Sequence, residues 1–154
     1  ILGSESGWHG FDYPSDKRPY VGKYQVLNAV RGETLQAWLR CAVLGETYVD
    51  KASSGLTDFN REWQEFITRN AWNDIWNRPG LARRERSIIV LSIAAALGAW
   101  GEFRIHVRGA LNNGMSRDEI KEVLMQTSVY AGVPAANHAF KEAASVFAEI
   151  EAER

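Results

Sequence analysis

Residues 78–114 read RPGLARRERSIIVLSIAAALGAWGEFRIHVRGALNNG, and the rest of the chain is organised around this stretch. Pro79 and Gly80 make a turn, Arg83, Arg84 and Arg86 follow as a basic cluster, and Ser87–Leu97 then runs without a charge. A bilayer crossing needs about 20 apolar residues, so a run this short reads as a helix apolar on nearly every side and buried within protein. Gly98 ends it. A second helix then carries Glu102 and His106, four residues apart, so that both side chains project from one face. A carboxyl and an imidazole are thereby set beside a buried helix whose entrance is lined with guanidinium groups.

Working outward, every periodic segment repeats at threes and fours. Thr34–Leu44 places Leu35, Trp38, Leu39, Ala42 and Val43 at helical spacing, with Gly45 as its stop. Cys41 lies within it and reads as a small buried hydrophobe rather than a nucleophile, because no local motif activates it. A further helix opens at Thr57 or Asp58 as N-cap and runs through Phe59, Trp63, Phe66, Ile67, Ala71, Ile75 and Trp76 to the Arg78-Pro79-Gly80 break. Beyond the central stretch, Asn112-Asn113-Gly114 makes a turn, and Ser116 with Glu119 forms a capping box ahead of Ile120, Val123, Leu124 and Thr127. That helix ends near Gly132, and Pro134 starts a last one to about Glu151, with Ala136, Ala139, Phe140, Ala143, Val146, Phe147 and Ile150 inward. No alternating run suggests a strand, so the expectation is an all-α domain of about six helices over residues 31–154.

Residues 1–30 differ. Rich in Gly, Ser, Pro and Tyr and without a sustained period, they read as an N-terminal arm or linker. Trp8, Phe11, Tyr13 and Tyr20 suit an arm packed on the domain or on a neighbouring subunit, and an expression or fusion remnant is the other reading. The chain as a whole has 154 residues, 45% hydrophobic and 24% charged, enough for one domain with a sizeable core. Its net charge of -1 gives no electrostatic reason to expect nucleic acid. One cysteine excludes an internal disulfide and any multi-cysteine metal site and suits a reducing cytoplasm, and no signal peptide or membrane span is visible.

Several chemistries find no residues. The sequence has no Gly-rich phosphate loop, no G-x-S-x-G elbow and no H-E-x-x-H, and its three histidines, His9, His106 and His138, are scattered. Acid–base chemistry at Glu102 and His106 remains, beside the plainer reading of a surface pair.

From about Trp38 onward the chain resembles the carboxymuconolactone decarboxylase family, and its decarboxylases more closely than their peroxidase cousins. The stretches that carry the likeness are LRCAVLGETYVDKA at Leu39–Ala52, FITRNAWNDIWNRPGL at Phe66–Leu81, RRERS at Arg83–Ser87, ALG at Ala96–Gly98, EFRIHVRGALNNG at Glu102–Gly114 and EVLMQTSVYAGVPAAN at Glu122–Asn137. Related alkylhydroperoxidase-type proteins carry C-x-x-C with a histidine four residues on. Here Ala99 and Glu102 stand in the cysteine positions and His106 is retained, so thiol–disulfide chemistry is absent. Gly101 occupies a position where many decarboxylases have a second acidic residue.

The resemblance implies an alkylhydroperoxidase-like helical fold and cofactor-independent decarboxylation of gamma-carboxymuconolactone to an enol-lactone, in the cytoplasmic breakdown of aromatic compounds. In that substrate the departing carboxylate sits on a ring carbon conjugated through a double bond to the lactone carbonyl. The substrate thus carries its own electron sink, and no cofactor or metal is needed. The protein must hold a dicarboxylate, favour the dienolate oxygen and deliver a proton to the carbon alpha to the carbonyl. Glu102 and His106 are the catalytic candidates, with the proton assigned to Glu102 if burial keeps it protonated, and the two roles are exchangeable. Arg86, then Arg83 and Arg78, are the carboxylate-binding candidates, with structural ion pairing as the alternative for each. Trp76 and Tyr130, with Trp72 and Trp100, are candidate walls, core packing being the other role open to them. An oligomer is also expected, since the wide apolar faces exceed what one small core needs, and the resemblance implies a homotrimer or homohexamer with the pocket near a subunit interface. Same-fold chemistry on another activated acid or lactone, and a non-catalytic oligomeric module, are the alternatives.

Overall fold

The computed structural model describes residues 34–153, and the expectations for the arm at residues 1–30 and for the side chains of Leu35 and Trp38 lie outside the described residues. The chain folds into α1 (Thr34–Leu44), α2 (Glu46–Ser54), α3 (Arg61–Ile67), a π-helical segment (Thr68–Ile75), α4 (Arg83–Leu97), α5 (Trp100–Asn112), α6 (Arg117–Ala131) and α7 (Val133–Ala152). Among the described residues there is no strand, as the helical periodicity predicts. No helix among them is long and apolar enough to cross a membrane.

Two apolar clusters organise these helices. The first lies among α4 to α7, where Leu91, Phe103, Val107, Ile120, Leu124 and Val146 are all but completely buried. The second gathers Leu39, Cys41, Val43, Leu44, Val49 and Trp72 from α1, α2 and the π segment, with Ile105 of α5 packed against it. Cys41 is therefore the small buried hydrophobe expected. Since α5 feeds both clusters, it is the wall between them.

Local chemistry sets the boundaries. The Ser116 hydroxyl accepts from the Glu119 amide at 3.1 Å, and the Glu119 carboxylate accepts from the Ser116 amide at 2.8 Å, the reciprocal box read in the sequence. Gly98 ends α4 at φ 66, a left-handed turn that costs glycine nothing. The helix expected from Thr57 or Asp58 begins later, at Arg61. Asn60 uses its side chain to close the preceding turn, accepting from the Thr57 amide at 2.7 Å and donating to the Gly55 carbonyl at 3.0 Å. Its continuation is also not a plain α-helix. The widened π turns close through bonds such as Trp76 N–H to the Ala71 carbonyl at 2.9 Å, a geometry concentrated at functional sites.

The reading of Ser87–Leu97 as buried on nearly every side is corrected by the structure. Ser87, Leu91, Ala94 and Ala95 face the core, whereas Ile89, Ile93 and Leu97 are 46%, 52% and 76% exposed. These three recur every fourth residue, so they form one continuous apolar stripe along the outside of α4. A run without charges does not distinguish a core face from an uncovered apolar one.

Candidate active site

His106 is the buried polar group at the centre of this junction, 7% exposed on α5. Its ring lies flat on Trp76, with centroids 5.8 Å apart and planes 10° from parallel, and Trp76 stacks in turn on Trp72 at 5.2 Å. The π turns place both tryptophans, so the wall of the site is built where the helix departs from α geometry. Burial pushes the His106 pKa down to about 4, leaving the imidazole neutral near pH 7. The 3.9 Å separation between His106 Nε2 and Glu102 Oε2 is accordingly a neutral contact, longer than a hydrogen bond.

Glu102 differs from the expectation of a buried carboxyl. It sits in the first turn of α5 with its side chain 68% exposed. Tyr48 of α2 stands nearby. Burial raises its hydroxyl pKa above the ordinary value, the Glu102 carboxylate raises it further, and the Arg40 guanidinium opposes both. Tyr48 therefore lies within electrostatic reach of a carboxylate on α5 and a cation on α1.

The arginines separate by their partners. Arg84 is engaged with Glu119 across α4 and α6. Arg78 is exposed, and its carbonyl accepts from Arg86 Nη2 at 3.0 Å. Since Arg78 follows Trp76 by two residues, that bond brings Arg86 to the chain just beyond the tryptophan wall. Arg83 is half-buried, and burial lowers its pKa. Among the described residues, the buried side-chain nitrogens left without a hydrogen-bond partner belong to Arg40, Arg86 and His106: two Nε atoms and one Nδ1.

Two expected walls fall elsewhere. Tyr130 is 82% exposed on α6, a helix that touches none of α1, α2 or the π segment. Trp100 stacks on His138 of α7 at 4.1 Å and meets Phe103 edge-on, which ties α5 to α7 rather than facing His106. Conversely, Arg40 and Tyr48 were not singled out from the sequence. Arg40 did carry a signal: it precedes Val43 and Leu44 by three and four residues, which puts an arginine on the apolar face of α1. Among the described residues no three His, Cys, Asp or Glu side chains gather closely enough to hold a metal ion.

Among the described residues, fold and site together define a helical domain that carries Glu102 and His106 on one central helix, with stacked tryptophans against the histidine. Residues 61–145 match the carboxymuconolactone decarboxylase family. The chain belongs to that family. A 4-carboxymuconolactone decarboxylase of Acinetobacter baylyi is 44% identical over 112 residues, which cover 73% of this chain and 84% of that protein. A nitrosuccinic acid decarboxylase of Metarhizium robertsii is also 44% identical, over 96 residues covering 62% of this chain and 67% of that protein. A 4-carboxymuconolactone decarboxylase of Pseudomonas putida is 53% identical over 36 residues, 23% of this chain and 75% of that protein.

Proposed function

We propose that this protein is a carboxy-lyase that removes CO2 from gamma-carboxymuconolactone without a cofactor, in the cytoplasm, as a step in the breakdown of aromatic acids. The observation that carries the reading is the neutral, buried His106 beside Glu102, in a chain 44% identical to a decarboxylase named for that substrate. When the bond to the departing carboxylate breaks, its electron pair moves through the ring double bond onto the lactone oxygen. A neutral imidazole N–H stabilises the charge growing there, because it is fixed in place and sheltered from water. Glu102 then gives its proton to the carbon alpha to the carbonyl, forming the enol-lactone. In an exposed carboxyl the proton has to be held by the substrate itself: two carboxylates brought beside Glu102 favour its neutral form. Purified protein that leaves the lactone chromophore unchanged across a range of buffers would refute this reading.

The nitrosuccinic acid decarboxylase relative supports a second reading with the same logic. Nitrosuccinic acid also has two carboxyls, and its nitro group accepts the electron pair released with CO2. Parallel assays with the lactone and with nitrosuccinate decide between them by relative kcat/KM.

The working unit proposed is a homotrimer or homohexamer. Besides the stripe Ile89, Ile93 and Leu97 on α4, α6, whose start is tied to that of α4 by the Arg84–Glu119 pair, exposes Met125 and Val129. Uncovered apolar faces of this kind on neighbouring helices favour association. Light scattering at micromolar concentration tests it, and a fully active monomer of 17.3 kDa is the contrary result.

A further inference from the structure

We propose that Arg40 receives, through the edge formed by its Nε and Nη2, the carboxylate that a dicarboxylate substrate keeps when the other departs. This rests on the decarboxylase reading above and goes beyond it by assigning the carboxylate receptor to α1, away from the basic cluster at the start of α4.

Position is the first argument. Val43 of α1 meets Gly109 of α5 so closely that a Cβ on the glycine would lie 3.1 Å from the Val43 carbonyl oxygen, and that same oxygen accepts from Asn112 Nδ2 at 2.9 Å. Gly45, just past the end of α1, also faces Asn112. Tyr48, just beyond α1 on α2, lies within electrostatic reach of both the Glu102 carboxylate and the Arg40 guanidinium, so Arg40 belongs to the same junction as the Glu102 and His106 face of α5. Arg40 lies three residues before Val43, and His106 three residues before Gly109. The close Val43–Gly109 contact thus holds α1 against α5 within one helical turn of both residues.

Free donors are the second argument. Among the described residues, Arg40 Nε is buried without a partner, and Nη2 reaches Gln64 Oε1 only at 3.4 Å, beyond the usual N–H···O range of about 2.7–3.2 Å. A carboxylate set against this edge would take both hydrogens side-on, the strong planar mode that arginine offers. Arg86 also has an unpartnered Nε, but its Nη2 is already committed to the Arg78 carbonyl at an ordinary 3.0 Å.

Reaction chemistry then selects which carboxylate Arg40 takes. A cation against the departing carboxylate stabilises a charge that the transition state is losing, which lowers the ground state and slows the step. Against the retained carboxylate it stabilises ground and transition state alike, so it contributes binding. Both the lactone and nitrosuccinic acid keep one carboxylate through the reaction.

The test uses the full chain with an inert probe, the saturated lactone diacid, which lacks the double bond, and its methyl ester at the side-chain carboxyl. Binding is followed by tryptophan fluorescence, Trp76 being stacked on His106. Wild type is expected to prefer the diacid by roughly ten- to a hundredfold, the scale of a bidentate charge-assisted contact. Arg40→Gln is expected to reduce that preference to about threefold or less and to raise KM for the turned-over substrate in step, with kcat within a fewfold of wild type. Arg40→Lys, which keeps the charge but loses the planar edge, should retain part of the preference and provides the reading if the glutamine variant does not fold. A wild type without the preference, or a folded Arg40→Gln or Arg40→Lys protein that keeps all of it, overturns the proposal. Failure of wild type to decarboxylate either substrate sinks the decarboxylase reading instead, since diacid preference is measured without turnover.

Discussion

The two sides of α5 treat guanidinium groups differently. Toward α7, Arg104 donates to Glu142 at 2.7 Å and also engages Glu149, while Arg108 reaches Glu149 at 3.1 Å and Glu153 at 2.9 Å. Those carboxylates hold the arginine pKa values above their ordinary level, and the arginines hold Glu142 and Glu149 below theirs. Toward α1 and the π segment, His106 Nδ1 and Arg40 Nε have no partner among the described residues. Arginine therefore has two uses in one small fold. Where the neighbouring helix supplies acids at helical spacing, the charge is consumed in holding helices together. Where it supplies tryptophan and tyrosine, buried nitrogens remain for a ligand, and such unsatisfied groups call for a functional account.

The largest effect is expected from Glu102→Gln. With Glu102 as the proton donor, its loss lowers turnover by about 10²- to 10⁴-fold while binding changes little, because a proton donor acts chiefly in the transition state. A raised KM with unchanged kcat would move Glu102 from proton transfer to binding.

Next is the pH response of the α1 side. The folded imidazole of His106 protonates only near pH 4, whereas an unfolded one does so near 6.5. Stability from this group is therefore complete above about pH 6.5 and declines as pH falls toward 4, by roughly 2 kcal/mol at pH 5. Urea unfolding of wild type and His106→Gln at pH 7 and pH 5 measures it. The variant should lose that part of the dependence, and identical pH profiles would contradict a neutral buried imidazole.

Gly109→Ala probes the same side through the backbone. Its Cβ would press on the Val43 carbonyl at 3.1 Å, so a loss of about 1–3 kcal/mol is expected, as for other overpacked contacts. If Arg40 works from α1, KM should rise as well, because the same contact holds α1 against α5. A smaller effect is expected on the α7 side, where Arg104→Ala should lower Tm by about 2–5 °C, as half-exposed ion pairs contribute modestly. Both kcat and KM should stay within about twofold of wild type. A large change in either would show that the α7 side also serves the site.

Much of the fold was legible in the sequence because its causes are local. The capping box of Ser116 and Glu119, the glycine stop at Gly98 and the inward faces of α6 and α7 depend on residues within a few positions of one another. The shared face of Glu102 and His106 is local for the same reason. The exposure of Ile89, Ile93 and Leu97 was not legible, because hydropathy records what a residue is and not what covers it. Nor could spacing show that Trp76 would lie flat on His106 through a π turn, that Tyr130 would stand on a helix away from the junction, or that Glu102 would be exposed. Composition and periodicity determined that this chain is helical, where several of its helices end, and that Glu102 and His106 share a face. Tertiary structure alone decided which buried donors are satisfied, because an arginine's partner is whatever the packed neighbour presents: glutamates on α7 for Arg104 and Arg108, and on α1, for Arg40, only a long contact to Gln64.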